Sequence, residues 1–96
     1  TGLLKEAAKS QLKKQPMYKV ILNNDDYTPM DFVVTVLVKF FSKTLESANH
    51  IMFKVHKDGK AVVGTYTAEI AETKVAQVNQ FSRANQHPLL CTMEQE

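Results

Sequence analysis

A short polar stretch between two apolar runs constrains the fold of this chain more than any other feature. It spans residues 24–30 and reads Asn-Asp-Asp-Tyr-Thr-Pro-Met. Mostly apolar runs occupy positions 17–22 before it and 32–41 after it, so two carboxylates and an amide lie between two core-forming elements. Thr28 and Pro29 are typical of a helix start, because threonine caps unpaired backbone N–H groups and proline fits the first turn.

This polar stretch has two interpretations. Asn and Asp are turn formers whose side chains bond to nearby backbone, and on the loop alone this structural interpretation is favoured. Polar acceptors beside apolar walls also form binding sites, however. Since rigid elements hold the loop on both sides, it is the candidate functional site of the chain.

Length, composition and charge exclude several classes of protein. The chain has 96 residues and 44% hydrophobic content, which predicts one domain. No apolar run approaches the ~20 residues that span a bilayer. A single cysteine, Cys91, excludes an internal disulfide and a Cys-based zinc site, and it fits a cytoplasmic protein. The net charge of +2 with one arginine is not typical of a nucleic-acid-binding surface.

Hydrophobic periodicity predicts six elements in the order β-α-α-β-α-β. Thr44 and Thr67 are predicted helix caps, and Gly59 is a predicted helix end. Three strands and three helices most simply form an α/β (α+β) sandwich, in which three helices cover a three-stranded antiparallel sheet. Residues 1–16 are predicted to be a mobile, lysine-rich arm ahead of a core domain at 17–96. The predicted elements are strand 17–22, helix 29–41, helix 45–57, strand 60–66, helix 68–84 and strand 89–93.

The side chains of the polar loop favour binding over catalysis. The chain has no Gly-x-Ser-x-Gly motif and no phosphate-binding glycine loop. Cys91 is expected to be a buried apolar residue, and His87 an exposed turn residue. Asp25, Asp26 and His56 could converge as an acid–base or metal-binding set, which leaves an enzyme as one alternative. Acceptors around an apolar pocket also suit a peptide's free α-amino group with a large first side chain.

Several separate motifs, in the same order along the chain, resemble ClpS, the N-end rule adaptor of the ClpA–ClpP protease. The resemblance covers residues 17–94, nearly the whole predicted core. The family fold has the same β-α-α-β-α-β order. Asn23 departs from the family pattern, which has an apolar residue there. The matching segments are 17–22, 24–30, 32–33, 55–56, 59–60, 67–69, 71–75 and 87–91.

The resemblance implies an adaptor that is not an enzyme and that needs no cofactor or metal. Members of the family capture proteins whose first residue is Leu, Phe, Tyr or Trp, which are N-degrons, and deliver them to the unfoldase. Met30 would exclude β-branched first residues. The α-amine would be held by Asn24, Asp26 and His56 with Asp25 supporting the loop, and the side-chain pocket would be lined by Thr28, Pro29, Met30, Val33, Met52, Val55 and Leu89.

The resemblance also implies a partner surface and leaves one further alternative. Glu69 and Lys74 match the family's surface for the N-terminal domain of the ClpA unfoldase. The basic arm matches a family extension that helps to deliver cargo. A monomer without nucleic-acid or membrane partners is expected. The remaining alternative is a protein-interaction domain similar to a ribosomal stalk domain, which would have no amine pocket.

Overall fold

The first strand is the centre of the sheet, and its side chains alternate between the two faces. The structure is a computed structural model that describes residues 15–96. Strand β1 (Met17–Asn23) pairs antiparallel with β2 (Lys60–Thr67) on one side and β3 (Leu90–Gln95) on the other. The sheet order is therefore β2-β1-β3. The predicted arm falls largely on residues 1–14, which lie outside the described residues.

Three helices complete the fold. Helix α1 spans Met30–Phe41, α2 spans Leu45–Asp58 and α3 spans Ala68–Ala84. The order β-α-α-β-α-β and the antiparallel sheet confirm the predicted fold class, and most predicted boundaries are within one or two residues of the observed ones. None of the three helices, which are all those in the described residues, has the length and hydropathy of a membrane span.

The core forms between the helices and the face of the sheet that carries Val20 and Leu22, both fully buried. A bulge between Val20 and Ile21 shifts the pairing with β2, so that Val20 faces Gly64 and Ile21 faces Val62. The extra residue, Val63, is also buried in the core. The remaining core residues are Val33, Val36, Leu37, Phe41, Ala48, Met52, Val55, Ala61, Ala71, Val78, Leu89 and Cys91.

The helix ends partly match the sequence-based prediction. Thr44 caps α2 as predicted, because its Oγ1 accepts a hydrogen bond from the Ser47 N–H at 3.1 Å. Gly59 ends α2 in the left-handed region, with φ of 88°, where a side chain would be strained. Thr67 is the N-cap residue of α3 as predicted, although its side chain makes no cap hydrogen bond. The predicted cap Thr28 was wrong, because Pro29 is the N-cap residue of α1 and no side chain caps that helix.

Two asparagine side chains attach β1 and α3 to strand β3. The Asn23 side chain donates to the Leu90 carbonyl and to Thr92 Oγ1, both at 3.1 Å, so it joins β1 to β3. On the outer edge of β3, the Asn79 amide donates to the Cys91 carbonyl at 2.9 Å and accepts from the Cys91 N–H at 2.8 Å. Asn79 therefore occupies the edge positions at which another strand would pair.

Replacement of Asn79 by Ala is expected to destabilise the fold by about 1–3 kcal/mol, because the part-buried Cys91 N–H and C=O would lose their partners. Gln77 is exposed on the same helix, so Gln77→Ala is the matched control and should change stability by less than about 0.5 kcal/mol. Urea unfolding would measure both variants. Equal losses in the two would show that Asn79 has no special role at this edge.

Candidate functional site

The loop between β1 and α1 is shaped by one carboxylate. Asp25 Oδ1 accepts hydrogen bonds from the backbone N–H groups of Tyr27 at 2.8 Å and Thr28 at 2.6 Å. Asp25 Oδ2 accepts a third from the Thr28 hydroxyl at 2.8 Å. The turn-forming interpretation of the loop is therefore correct for Asp25, and these bonds explain why Thr28 does not cap α1.

The acidity of Asp25 reflects these contacts. Burial raises the pKa of the Asp25 carboxyl, but hydrogen bonds from Thr28 and Tyr27, together with the charge of His87, outweigh it and lower the pKa overall. His87 was expected to be an exposed turn residue, and that expectation was wrong. It is half-buried, and its ring centroid lies 4.4 Å from that of Phe32.

A backbone hydrogen bond joins the loop to the end of α2. The Asn24 N–H donates to the Gly59 carbonyl at 2.8 Å. The Gly59 N–H in turn donates to the Val55 carbonyl at 2.9 Å, one residue before His56. The loop and the last turn of α2 are therefore held beside each other, which places Asn24 and His56 on the same cavity.

Loop, α1 and α2 enclose a cavity of about 380 Å³, which we call the loop–α2 cavity. This volume is in the range of ligand pockets. Its floor is apolar, because Val33, Met52 and Val55 are all buried. Its lining consists of Asn24, Asp25, Asp26, Tyr27, Thr28, Pro29, Met30, Val33, Met52, Val55 and His56.

The rim of the cavity is polar and accessible. Asn24, Asp26 and His56 are exposed, whereas Asp25 is half-buried and bonded to the loop. Asn24 presents an amide oxygen and Asp26 presents carboxylate oxygens. The neutral imidazole of His56 has a nitrogen that can also accept a hydrogen bond. The cavity therefore joins several acceptors to an apolar floor. No lysine or arginine contributes to its lining.

The structure brings together every predicted site residue of the loop, of α1 and of α2, but Leu89 lies elsewhere. Leu89 is 1% exposed within the core and does not line the cavity. Tyr27 lines the cavity and was not predicted, although its position beside Asp26 in the loop could have indicated it. Its side chain is 82% exposed, so an aromatic ring stands at the mouth of the cavity.

The predicted partner-surface residues differ in how the fold uses them. Glu69 is exposed in the first turn of α3. Lys74 is half-buried, and its Nζ donates to the Phe40 carbonyl at the end of α1 at 2.7 Å. The same ammonium lies 5.9 Å from the centroid of the Phe41 ring. Lys74 therefore stabilises the end of α1 through a helix-capping contact.

The alternative chemistries receive little support from the geometry. Within residues 15–96, no three His, Cys, Asp or Glu side chains converge in a way that could hold a metal ion. Asp25, Asp26 and His56 therefore do not form a ligand set. Cys91 is buried as predicted, and burial raises the pKa of its thiol to about 12, so it is not an activated nucleophile.

The fold and the cavity define a small α+β binding protein. The sequence profile of the family described as ATP-dependent Clp protease adaptor protein ClpS matches residues 13–92. The chain therefore belongs to the ClpS family of Clp protease adaptors.

Individual relatives agree with this assignment. The chain is 62% identical over 92 residues to the ClpS adapter protein of Vibrio cholerae, covering 96% of this chain and 87% of that protein. It is 63% identical over 94 residues to the ClpS adapter protein of Xanthomonas oryzae pv. oryzae, covering 98% and 89%. Among solved structures, Agrobacterium tumefaciens ClpS2 bound to L-phenylalaninamide is 37% identical with a TM-score of 0.85, covering 86% of this chain and all of that chain.

Replacement of Asp25 by Ala is expected to lower the free energy of unfolding by about 1–3 kcal/mol at pH 7, because three hydrogen bonds are lost. The folded-state pKa of Asp25 is lowered, so its stabilisation is present above about pH 4 and is lost as the pH falls through the folded-state value. The difference between wild type and variant in urea unfolding should therefore shrink as the pH falls below about 4.

The control is Asp26→Ala, which removes the neighbouring but exposed carboxylate. It should change the free energy of unfolding by less than about 0.5 kcal/mol at pH 7. If Asp26→Ala were as destabilising as Asp25→Ala, the two carboxylates would not have the separate roles described here.

Proposed function

We propose that the loop–α2 cavity binds the first residue of a protein chain through its free α-amino group and its bulky apolar side chain. The observation that supports this proposal is the combination of exposed acceptors at Asn24, Asp26 and His56 with a buried apolar floor. Leu, Phe, Tyr and Trp are the first residues that suit such a floor. In this proposal the chain is an adaptor that delivers the bound cargo protein and is not itself an enzyme.

The ligand of the solved relative supports the same chemistry. L-phenylalaninamide, bound to Agrobacterium tumefaciens ClpS2, is an amino-acid amide with a free α-amine and an aromatic side chain. In the present chain, Asp26 would supply the negative charge opposite such an amine. Met30 is 45% exposed at the mouth of the cavity, where its side chain would clash with a second branch at the Cβ of the ligand.

The energies of the two halves of the site are comparable. Burial of one large apolar side chain contributes about 1.5–3 kcal/mol, and each hydrogen bond to a charged amine contributes roughly 1.5–3 kcal/mol. One buried side chain and three such hydrogen bonds, to Asn24, Asp26 and His56, are together needed to reach the ~8 kcal/mol of a micromolar complex once the costs of association are subtracted. Neither the apolar contact nor the hydrogen bonds to the amine are sufficient alone. The cavity should therefore select free chain ends with a bulky first residue, and binding should depend little on the rest of the cargo sequence.

Fluorescence anisotropy with a Leu-first peptide, in free-amine and acetylated forms, would test this proposal. Only the free-amine peptide should bind, because acetylation removes the charge and two of the donors. Asp26→Ala and His56→Ala should each weaken binding by about tenfold or more. Glu72→Ala, an exposed carboxylate on α3, is the control and should have no effect. Equal binding of both peptides would favour the stalk-like interaction domain instead.

We further propose that the chain acts in the cytoplasm as a monomer and contacts the N-terminal domain of a ClpA-type unfoldase through Glu69 and Lys74. Glu69 is accessible on α3. Because the Lys74 ammonium already bonds to Phe40, part of any effect of a Lys74 substitution would come from the end of α1. Glu69 therefore gives the cleaner test of this surface.

Glu69→Lys is expected to weaken binding to the isolated N-terminal domain of the unfoldase by about fivefold or more in calorimetric titration, because one charge at the interface is reversed. Glu46→Lys is the matched control, since Glu46 is also an exposed carboxylate in the first turn of a helix, α2. Unchanged binding of Glu69→Lys, or an equal loss in Glu46→Lys, would remove Glu69 from the proposed interface.

A further inference from the structure

A second concave surface lies on α2, on the same helical turns that contribute to the loop–α2 cavity. It encloses about 360 Å³, and we call it the α2 outer groove. Met52 and His56 line the cavity, whereas their sequence neighbours Phe53 and Lys57 line the groove. Successive helical residues are rotated by about 100°, so the two sites occupy adjacent faces of one helix. The groove is lined by His50, Phe53, Lys54, Lys57 and Asp58.

The two surfaces have opposite charge. The loop–α2 cavity contains Asp25 and Asp26 with no lysine or arginine. The α2 outer groove contains Lys54 and Lys57 with one carboxylate, Asp58. The sign of the local charge therefore changes across the width of α2, from negative at the cavity to positive at the groove.

The groove also has an apolar contact point. Phe53 is 58% exposed and lies beside Lys54 in sequence and one turn before Lys57. A single exposed apolar side chain is ordinary on a protein surface. Here the ring is part of a concave surface with two lysines, whose aliphatic stems extend the apolar area while their ammonium groups stay accessible.

We propose that the α2 outer groove binds acidic residues of the cargo chain that lie a few positions after its first residue. This inference depends on the proposed function, because it places the first residue in the loop–α2 cavity. A chain that complements both surfaces is cationic at its first residue and acidic further along. The groove would then favour such cargo over cargo with a neutral or basic continuation.

The dimensions of the helix indicate which cargo positions would reach the groove. A helix with its side chains is about 10–12 Å across. An extended chain advances by about 3.3–3.6 Å per residue, so three or four residues carry it past the helix. Carboxylates at roughly positions 4–7 of the cargo would therefore lie opposite Lys54 and Lys57, about one helix diameter away from Asp25 and Asp26.

Leu-first peptides of equal length with Glu, Gln or Lys at positions 5 and 6 would test this inference, each as the free amine and in acetylated form. Anisotropy titrations should show the free-amine Glu peptide binding roughly three- to tenfold more tightly than the Gln peptide at about 50 mM salt. The difference should largely disappear at about 500 mM salt, because exposed charges are then screened. The Lys peptide should bind most weakly.

The double variant Lys54→Glu, Lys57→Glu should reverse the order of the Glu and Lys peptides. The matched control, Lys39→Glu with Lys43→Glu, makes the same change in net charge at the C-terminal end of α1 and should keep the original order. Thermal unfolding of both double variants would verify that they are folded.

The outcomes separate this inference from the proposed function. Amine-dependent binding that is equal for Glu, Gln and Lys peptides would overturn the inference and leave the proposed function intact. A preference for Glu that survives in the Lys54, Lys57 variant, or that is lost equally in the control, would also overturn it. Binding of the acetylated Glu peptide as tightly as the free form would contradict the proposed function as well.

Discussion

The hydrogen bonds to the Asp25 carboxylate are the interaction on which the proposed site depends. Three donors from Tyr27 and Thr28 close the loop around this side chain. Because Asp25 accepts the hydrogen bonds of the loop's own donors, the adjacent Asp26 is not used by the loop and remains exposed to a ligand. Two neighbouring aspartates of the same chemistry thus have different roles, one in folding and one in the proposed binding.

The position of α2 follows from the same loop. The Asn24 N–H bonds to the carbonyl of Gly59, whose left-handed conformation ends the helix. That contact joins the side of the cavity that carries Asn24 to the helical turn that carries His56. A change in the loop conformation would therefore move the acceptors relative to one another, even if the apolar floor of Met52 and Val55 stayed buried.

Much of this arrangement could be predicted from the sequence, because the relevant signals are local. The element order follows from hydrophobic periodicity, and the ends of α2 follow from Thr44 and Gly59, whose capping preferences are strong. The cavity residues of the loop and of α2 follow from the resemblance to ClpS. Their ligand-binding roles remain predictions.

The features that the sequence did not predict depend on contacts within the folded chain. Threonine is a favoured helix-capping residue, but the Thr28 hydroxyl donates its hydrogen bond to the Asp25 carboxylate instead. The resemblance implied that Leu89 lines the pocket, but Leu89 is buried in the core and does not line the loop–α2 cavity. In the sequence Lys74 resembles an ordinary surface lysine. In the fold its ammonium bonds to the Phe40 carbonyl, which is 34 positions away in sequence.

The most direct test of the central claim is an NMR titration of the backbone amides with L-phenylalaninamide and with its N-acetylated form. The account predicts that only the free amine shifts the resonances of residues 24–30 and of the last two turns of α2. Residues of α3 far from the cavity should be unchanged. Equal shifts with both compounds, or shifts confined to exposed helix faces away from the loop, would contradict recognition of a free chain end by this cavity.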